Sequence, residues 1–208
     1  MSEVAHRRRR SQARQRILAA ARELLEQRPW SEISLEEIMR GAELTRTAFY
    51  RHFDDRQLLL LALVEELGSG FDGVAAPWTE VDAAADPARE LGPALRALTE
   101  VYVGEGRLLQ AIADGAAQDP DLHDTYMALG ERITDGVART IEREVAAGRS
   151  GVADPREVAS ALVWMNERYL LQHFGRTPDG DVERVAAALH VIWHSAIYGE
   201  APGAAARG

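Results

Sequence analysis

A short run near the N-terminus combines cationic, hydroxyl and aromatic side chains at helical spacing. The run is Thr45-Arg46-Thr47-Ala48-Phe49-Tyr50-Arg51-His52-Phe53. In a helix Phe49 and Phe53 pack inward, whereas the outward positions are Arg46, Thr47, Tyr50 and His52. Arginine can form two hydrogen bonds with a guanine edge, and hydroxyl or imidazole groups can donate to phosphates. The outward face is therefore suited to contact with duplex DNA.

The residues before this run indicate how it is held. Ser34 and Glu37 have the spacing of a capping box, so a helix of about two turns begins there. Gly41-Ala42-Glu43-Leu44 ends that helix, and Thr45 is a good N-cap for the next one. Two such helices form a helix-turn-helix with an apolar elbow made by Leu35, Ile38, Met39, Leu44 and Phe49. The alternative is a surface helical hairpin with no ligand. In the DNA-binding interpretation, Ser34 and Thr45 cap their helices first and contact phosphate second.

Charge is distributed unevenly along the 208 residues. The formal net charge is −9, yet residues 1–56 hold 12 arginines against 9 acidic residues, and the remainder holds 12 against 24. A basic head followed by an acidic body predicts a polyanionic partner at the N-terminus. The run His6-Arg7-Arg8-Arg9-Arg10, with Arg14 and Arg16 behind it, is either a solvated tail or an arm that contacts the DNA backbone or minor groove. Arg56 is placed to reach a phosphate.

Several classes of protein are disfavoured by what the sequence lacks. The absence of cysteine excludes disulfides and thiolate metal sites. The longest stretch without formal charge, 185–199, is shorter than the run of about 18 apolar residues that a membrane span needs, and no apolar segment follows the N-terminal charges. There is no phosphate loop, nucleophile elbow or zinc signature, and His190 and His194 lack a carboxylate on their face. We therefore expect a soluble, cytoplasmic protein with no catalytic site, cofactor or bound metal.

Helix signals recur along the whole chain. Aspartate followed by proline, a strong helix start, occurs at Asp86-Pro87, Asp119-Pro120 and Asp154-Pro155. Asp54 and Gln57 have N-cap and N3 spacing, residues 77–85 are predicted to form a loop, and no window alternates as a strand does. The predicted fold is all-α with about nine helices, the last five at about 87–104, 105–117, 120–148, 156–174 and 181–198.

Two parts follow from these assignments. Residues 1–56 are predicted to be the DNA-binding helix-turn-helix head with its basic arm, and residues 57–208 a larger helical body. The last two helices carry apolar faces that the remaining body is too small to cover, so a second copy of the chain is the expected cover. A homodimer in turn predicts a palindromic double-stranded operator, read in successive major grooves.

At this point the chain resembles the TetR family of bacterial transcriptional regulators. The resemblance rests on Ile33-Ser34-Leu35-Glu36-Glu37-Ile38, Gly41-Ala42, the run 45–53 and the basic residue that follows at Arg56. Two later runs, Trp164-Met165-Asn166-Glu167-Arg168 and Ile192-Trp193-x-x-x-Ile197-Tyr198-Gly199-Glu200, resemble runs in mycobacterial members of the family. The chain departs from the family pattern at Glu43, where glycine is usual, and at Ala48, where serine, threonine or proline is usual.

The resemblance implies an all-helical homodimer whose body is a ligand-binding and dimerisation domain with an internal cavity. A small, mostly apolar effector in that cavity is expected to release a transcriptional repressor from its operator. By the same resemblance Asn166 holds the polar group of the effector, and the walls are Tyr102, Tyr126, Ile133, Val163 and Trp193. Buried amides and aromatic residues are more often plain core, and the alternative function is a helical small-molecule-binding or partner-binding protein without specific DNA binding.

Overall fold

The fold is helical throughout the part of the chain that the structure describes. A computed structural model describes residues 2–28, 30–63, 66–67, 78, 87–176 and 180–199, with side chains from residue 11 onward. Most of these residues lie in eight α-helices, and none of them lies in a strand. The prediction of an all-α fold is therefore confirmed. Within the same ranges, no helix combines the length and the apolar character needed to cross a membrane.

The chain folds into two compact units, and neither is continuous in sequence. The first contains residues 1–67 and 107–126, and the second contains residues 68–106 and 127–208. The sequence predicted a functional boundary between residues 56 and 57. The first compact unit extends beyond that boundary, because it includes the fourth helix and part of the middle of the chain.

The first unit opens with three helices and a turn: α1 (Ser2–Gln27), a single turn of 3-10 helix (Trp30–Glu32), α2 (Leu35–Gly41) and α3 (Arg46–Phe49). The basic run 6–10 lies in the first turns of α1. Ile17 and Leu25 of α1 and Ile38 of α2 are fully buried. Burying an aliphatic side chain of this size contributes roughly 1.5–3 kcal/mol, so these contacts hold the short helices α2 and α3, which are too short to be stable alone.

The next helix, α4, covers 56–63 and 66–67. Its cap is Asp55, whose Oδ1 accepts a hydrogen bond from the backbone N–H of Leu58 at 2.8 Å. The prediction that Asp54 caps this helix was therefore wrong by one residue, because the chain makes one more non-helical step before α4 begins. Leu60 of α4 is buried beside Gly115, where an added Cβ would lie 3.6 Å from Leu60 Cδ1 and 2.7 Å from Leu122 Cδ2.

The helix α5, Pro87–Ala116, is continuous where the sequence predicted two helices. Glycine is a common helix end, and Gly104 suggested one. The buried side of α5 nevertheless continues through this region at intervals of three or four residues: Leu91, Leu95, Thr99, Tyr102, Gly106, Leu109, Ile112 and Ala116. At Gly106 a Cβ would overlap the backbone carbonyl of Phe174. The cost of a helical glycine, about 1 kcal/mol, is outweighed by burial along the rest of the stripe.

Three further helices complete the chain: α6 (Pro120–Ala146), α7 (Pro155–Phe174) and α8 (Val182–Tyr198). Asp119, Asp154 and Asp181 cap them, each accepting from the backbone N–H three residues later at 3.0 or 3.1 Å. The predicted Asp-Pro starts at residues 119 and 154 are thus confirmed. The remaining Asp-Pro start has its aspartate, Asp86, outside the described residues. The predicted loop 77–85 also lies outside them, apart from Trp78.

Candidate nucleic-acid interface and effector site

The start of α2 is fixed by a cluster of three side chains. Ser34 Oγ accepts from the backbone N–H of Glu37 at 3.3 Å, while Glu37 Oε2 accepts from the backbone N–H of Ser34 at 2.9 Å and from its hydroxyl at 2.7 Å. Arg28, just after α1, donates to the other oxygen of Glu37 at 2.6 Å. The predicted capping box is confirmed. The hydroxyl hydrogen of Ser34 is used within it, so phosphate contact by Ser34 stays a prediction.

These hydrogen bonds make the stability of the first unit depend on pH. The bond from Arg28, then those from the backbone and hydroxyl of Ser34, lower the pKa of Glu37 from 4.5 to about 2. Because the folded state favours the ionised carboxylate, its contribution is complete above pH 4.5 and is lost as the pH falls through about 2. We expect Glu37→Gln to lower the urea midpoint at neutral pH and to lose less stability on acidification than the wild type.

This expectation is checked by urea unfolding followed by circular dichroism at neutral pH and at steps down to about pH 2. Glu26→Gln on α1 is the control at neutral pH, because it makes the same charge change at an exposed residue outside the capping box. Equal acid sensitivity in the wild type and Glu37→Gln would contradict the assignment.

The turn between α2 and α3 has a strained residue. Glu43 adopts a φ of +52°, in the left-handed region where glycine is usual. This departure from the family pattern therefore strains the backbone, which costs about 1–2 kcal/mol for a residue with a Cβ. The Glu43 carboxylate is exposed and accepts from Arg16 Nη2 of α1 at 2.8 Å. Arg16, one of the arginines predicted to belong to the basic arm, therefore forms an ion pair with the turn.

The side chains of α3 divide into a buried face and an exposed one. Phe49 is fully buried, and its ring centre lies 5.5 Å from that of Phe53, which is also buried. Thr45 makes no side-chain capping hydrogen bond. The structure brings four of the predicted DNA contacts to the exposed side of α3, which we call the recognition surface: Thr45, Arg46, Thr47 and Tyr50. His52 follows this surface and is half-buried.

Arg46 is held in place by two neighbours. Its Nη1 donates to Glu36 Oε1 at 2.6 Å, and its Nη2 donates to the Tyr50 hydroxyl at 3.4 Å. Glu36 lies in the first turn of α2, so this ion pair crosses the turn between the two helices. The sequence did not predict the pair, because an acidic residue at that position is already explained by the helix dipole.

Arg56 has a packing role that the sequence did not predict. Its Nη2 donates to the backbone carbonyl of Trp30 at 2.9 Å, and its guanidinium carbon lies 4.4 Å from the centre of the Trp30 ring. Burial lowers the pKa of Arg56, and the charge of Glu36 opposes this effect. Arg14 likewise lies over the Phe53 ring, 5.5 Å from its centre. Both arginines therefore contact the aromatic residues of the head, and the phosphate contact of Arg56 stays a prediction.

In the second unit two of the predicted effector contacts meet. Asn166 of α7 and Trp193 of α8 are both buried, and Trp193 Nε1 donates to Asn166 Oδ1 at 2.8 Å. A second indole, Trp78, packs edge-on against Trp193 with ring centres 5.8 Å apart. Trp78 is also buried, and its Nε1 has no hydrogen-bond partner among the residues that the structure describes. The sequence analysis missed Trp78, since an isolated tryptophan in a predicted loop gives no periodic signal.

The other predicted effector contacts are more dispersed. Tyr102, Ile133 and Val163 belong to the second unit, whereas Tyr126 belongs to the first. Tyr102 and Val163 are buried and Ile133 is half-buried. Burial, and then the charge of Glu167, raise the pKa of Tyr102. Among the residues described, no three histidine, aspartate or glutamate side chains gather as metal ligands.

Comparison with known proteins agrees with this architecture. Residues 17–63 match the family described as "Bacterial regulatory proteins, tetR family". Residues 91–199, more than half of the chain, match "Transcriptional regulator EthR, C-terminal domain". A helix-turn-helix head joined to such a body defines a DNA-binding transcriptional regulator, not an enzyme. The chain belongs to the tetR family of bacterial regulatory proteins, whose members are ligand-responsive repressors that bind operator DNA and act as dimers.

Two relatives make the comparison more specific. The chain is 28% identical over 192 residues to the HTH-type transcriptional regulator EthR of Mycolicibacterium smegmatis. The aligned region covers 89% of this chain and 86% of the relative. It is also 28% identical over 186 residues to EthR of Mycobacterium tuberculosis, covering 88% and 86%. The resemblance of the chain to mycobacterial members of the family is thereby confirmed.

Solved structures share the fold at lower identity. A transcriptional regulator from Rhodococcus sp. Rha1 superposes with a TM-score of 0.73 at 21% identity, covering 91% of this chain and 99% of that one. A TetR-family regulator from Pectobacterium atrosepticum gives 0.67 at 23% identity, covering 92% and 97%. These likenesses concern the path of the backbone.

Proposed function

We propose that the recognition surface of α3 enters the major groove of an operator, in the cytoplasm where bacterial DNA lies. The proposal rests on the separation of buried Phe49 and Phe53 from the exposed polar residues of the recognition surface. Arg46 is suited to a guanine edge, and the hydroxyls of Thr45, Thr47 and Tyr50 are suited to phosphates. Basic residues in the first turns of α1 add attraction that does not depend on sequence. DNA binding is thus assigned to the head, residues 1–56.

The body, residues 57–208, is proposed to join two copies through α7 and α8. The two helices pack on each other, and α8 exposes adjacent Val191 and Ile192 at 66% and 44%. The small residues Ala187 and Ser195 are exposed one turn before and after them. Covering this face with the same face of a second copy gives a four-helix arrangement. The expected operator is palindromic, with half-sites about 34–36 Å apart or a multiple of that spacing.

The effector is proposed to bind beside Asn166 and Trp193, with Trp78 as a third contact. Asn166 Oδ1 already accepts from Trp193, whereas the buried Trp78 N–H has no acceptor within the described part of the chain. An unpaired buried donor costs about 1–3 kcal/mol, which an acceptor on the effector would offset. The indoles themselves favour apolar surface. We therefore expect an elongated, mostly apolar molecule that carries a carbonyl group.

Release is proposed to occur by a shift between conformations of the dimer. An effector that bound both conformations equally would change nothing, so it must favour one whose heads are spaced wrongly for the operator. A coupling of about 1–3 kcal/mol weakens operator affinity roughly 5- to 150-fold. The test is selection of bound duplexes from a random pool, followed by titration of the complex with a long-chain methyl ketone. Enrichment of a palindrome and its release by the ketone are the expected results.

Trp78→Phe removes the indole N–H and keeps an apolar aromatic ring at the same position. We expect the variant to bind the methyl ketone about 3- to 10-fold more weakly, because one hydrogen bond is worth about 0.5–1.5 kcal/mol, and to keep its affinity for an alkene of equal length. Titration calorimetry with the two probes measures the ratio of the affinity for the ketone to the affinity for the alkene. Trp164→Phe, at an indole packed on Gly130, is the control. A wild-type protein that binds ketone and alkene equally well would contradict the assignment.

A further inference from the structure

We propose that Glu36 is a positioning residue that holds Arg46 for base reading and keeps its charge away from phosphates. The inference rests on the proposed role of Arg46 at the recognition surface. Arg46 Nη1 lies 2.6 Å from Glu36 Oε1, and Arg46 Nη2 lies 3.4 Å from the Tyr50 hydroxyl. Glu36 thereby joins the first turn of α2 to the exposed side of α3.

Glu36 is not required to start α2. The capping box uses the neighbouring Glu37, which binds Ser34 and Arg28. The side chains of Glu36 and Arg46 are 56% and 62% exposed, and ion pairs this exposed contribute little to stability. The geometry of the pair is therefore better explained by what it does to the guanidinium than by what it does to the fold.

The pair leaves Arg46 able to read a guanine. A guanidinium has five N–H donors, with two on each terminal nitrogen. Nη1 donates to Glu36 and Nη2 to Tyr50, which uses two of the five donors. Each terminal nitrogen retains a second hydrogen that can donate to a guanine acceptor. The ion pair can persist in the operator complex. A guanidinium ordered in advance loses less side-chain freedom when it binds.

On other DNA the same pair acts in the opposite direction. A contact with phosphate needs only positive charge, and the Glu36 carboxylate neutralises that charge while it repels the DNA backbone. Removing the carboxylate frees Arg46 to contact a phosphate at any sequence. Glu36 should therefore strengthen operator binding and weaken binding elsewhere, which is how a repulsive group increases specificity.

Glu36→Gln tests the proposal, measured by fluorescence anisotropy on two short duplexes. One carries the palindrome selected from the random pool with the wild-type protein, and the other carries the same bases scrambled. We expect operator affinity to fall about 3- to 10-fold, as for one side chain that must be ordered on binding. Scrambled-duplex affinity should rise, and its logarithmic salt slope should steepen by about one, as for one added phosphate contact.

Two further variants make the result specific to Arg46. In an Arg46→Ala background, Glu36→Gln should no longer change the ratio of the two affinities. Glu26→Gln, the same charge change on α1, should leave that ratio unchanged. An equal rise in both affinities, or an unchanged ratio in an otherwise stable protein, would overturn the proposal. If Arg46→Ala itself leaves discrimination intact, the proposed role of Arg46 fails instead, so the two failures are distinguishable.

Discussion

Replacing Arg46 by alanine should remove much of the protein's ability to distinguish its operator from other DNA. A two-hydrogen-bond contact between arginine and guanine is worth about 1–3 kcal/mol of discrimination, or roughly 5- to 150-fold in relative affinity. The side chain is exposed on α3 while Phe49 and Phe53 anchor the helix from the other side. The substitution should therefore leave the fold of the head intact, and the loss should fall on specificity.

The measurement compares affinities for the selected palindrome and for its scrambled counterpart at one salt concentration. Arg139→Ala, at an exposed arginine of α6 in the second unit, is the matched control and should leave the ratio unchanged. A set of single base-pair changes in the palindrome should then identify one position in each half-site at which Arg46→Ala no longer distinguishes the bases. Unchanged discrimination at every position would show that α3 does not read the operator through Arg46.

Placing glutamate at both Val191 and Ile192 should separate the dimer into monomers and reduce operator affinity by at least about 100-fold. Each charge would have to be buried without a partner against its copy in the second protomer. A monomer binds one half-site only, and it loses the gain of about 10²–10⁴ in apparent affinity that linkage of two binding modules provides. The effect should therefore exceed that of any single DNA contact.

Sedimentation velocity at micromolar concentration, together with binding to the palindrome, measures this effect. Val103→Glu on α5 provides the control, because Val103 is a similarly exposed valine of the same unit, at 43%. It should leave the oligomeric state unchanged. If the double variant stayed a dimer with normal operator binding, the interface would have to lie on another face of the body.

The helix starts were predictable because they depend on residues close together in the sequence. Ser34 with Glu37, and the aspartates at 119, 154 and 181, each complete a cap within three residues. The course of α5 was not predictable in this way, since Gly104 looks locally like a helix end and only the long buried stripe overrides it. The start of α4 was predicted one residue too early, at Asp54 and not Asp55, because two neighbouring aspartates offer equivalent caps.

The candidate site was predictable on α3 and much less so elsewhere. Helical spacing alone separates Phe49 from Arg46, whereas the pairing of Arg46 with Glu36 depends on how two helices meet across a turn. Arg56 was assigned to DNA because its charge is visible in the sequence and its contact with Trp30 is not. In the second unit, the resemblance pointed to Asn166 and Trp193, but Trp78 packs against Trp193 from a distant part of the chain.

The split composition of the first unit has a consequence for how the protein is made. Leu60 packs beside Gly115, and Leu122 closes the same contact, so the N-terminal segment leaves apolar surface open until residue 126 has been added. At roughly 5–20 residues per second, a ribosome that has just finished α4 needs several more seconds to supply the missing helices. During that interval the first unit of the nascent chain is incomplete. A gene fragment that stops at residue 67 would make this incomplete state permanent, which makes it a target for chaperones and proteases.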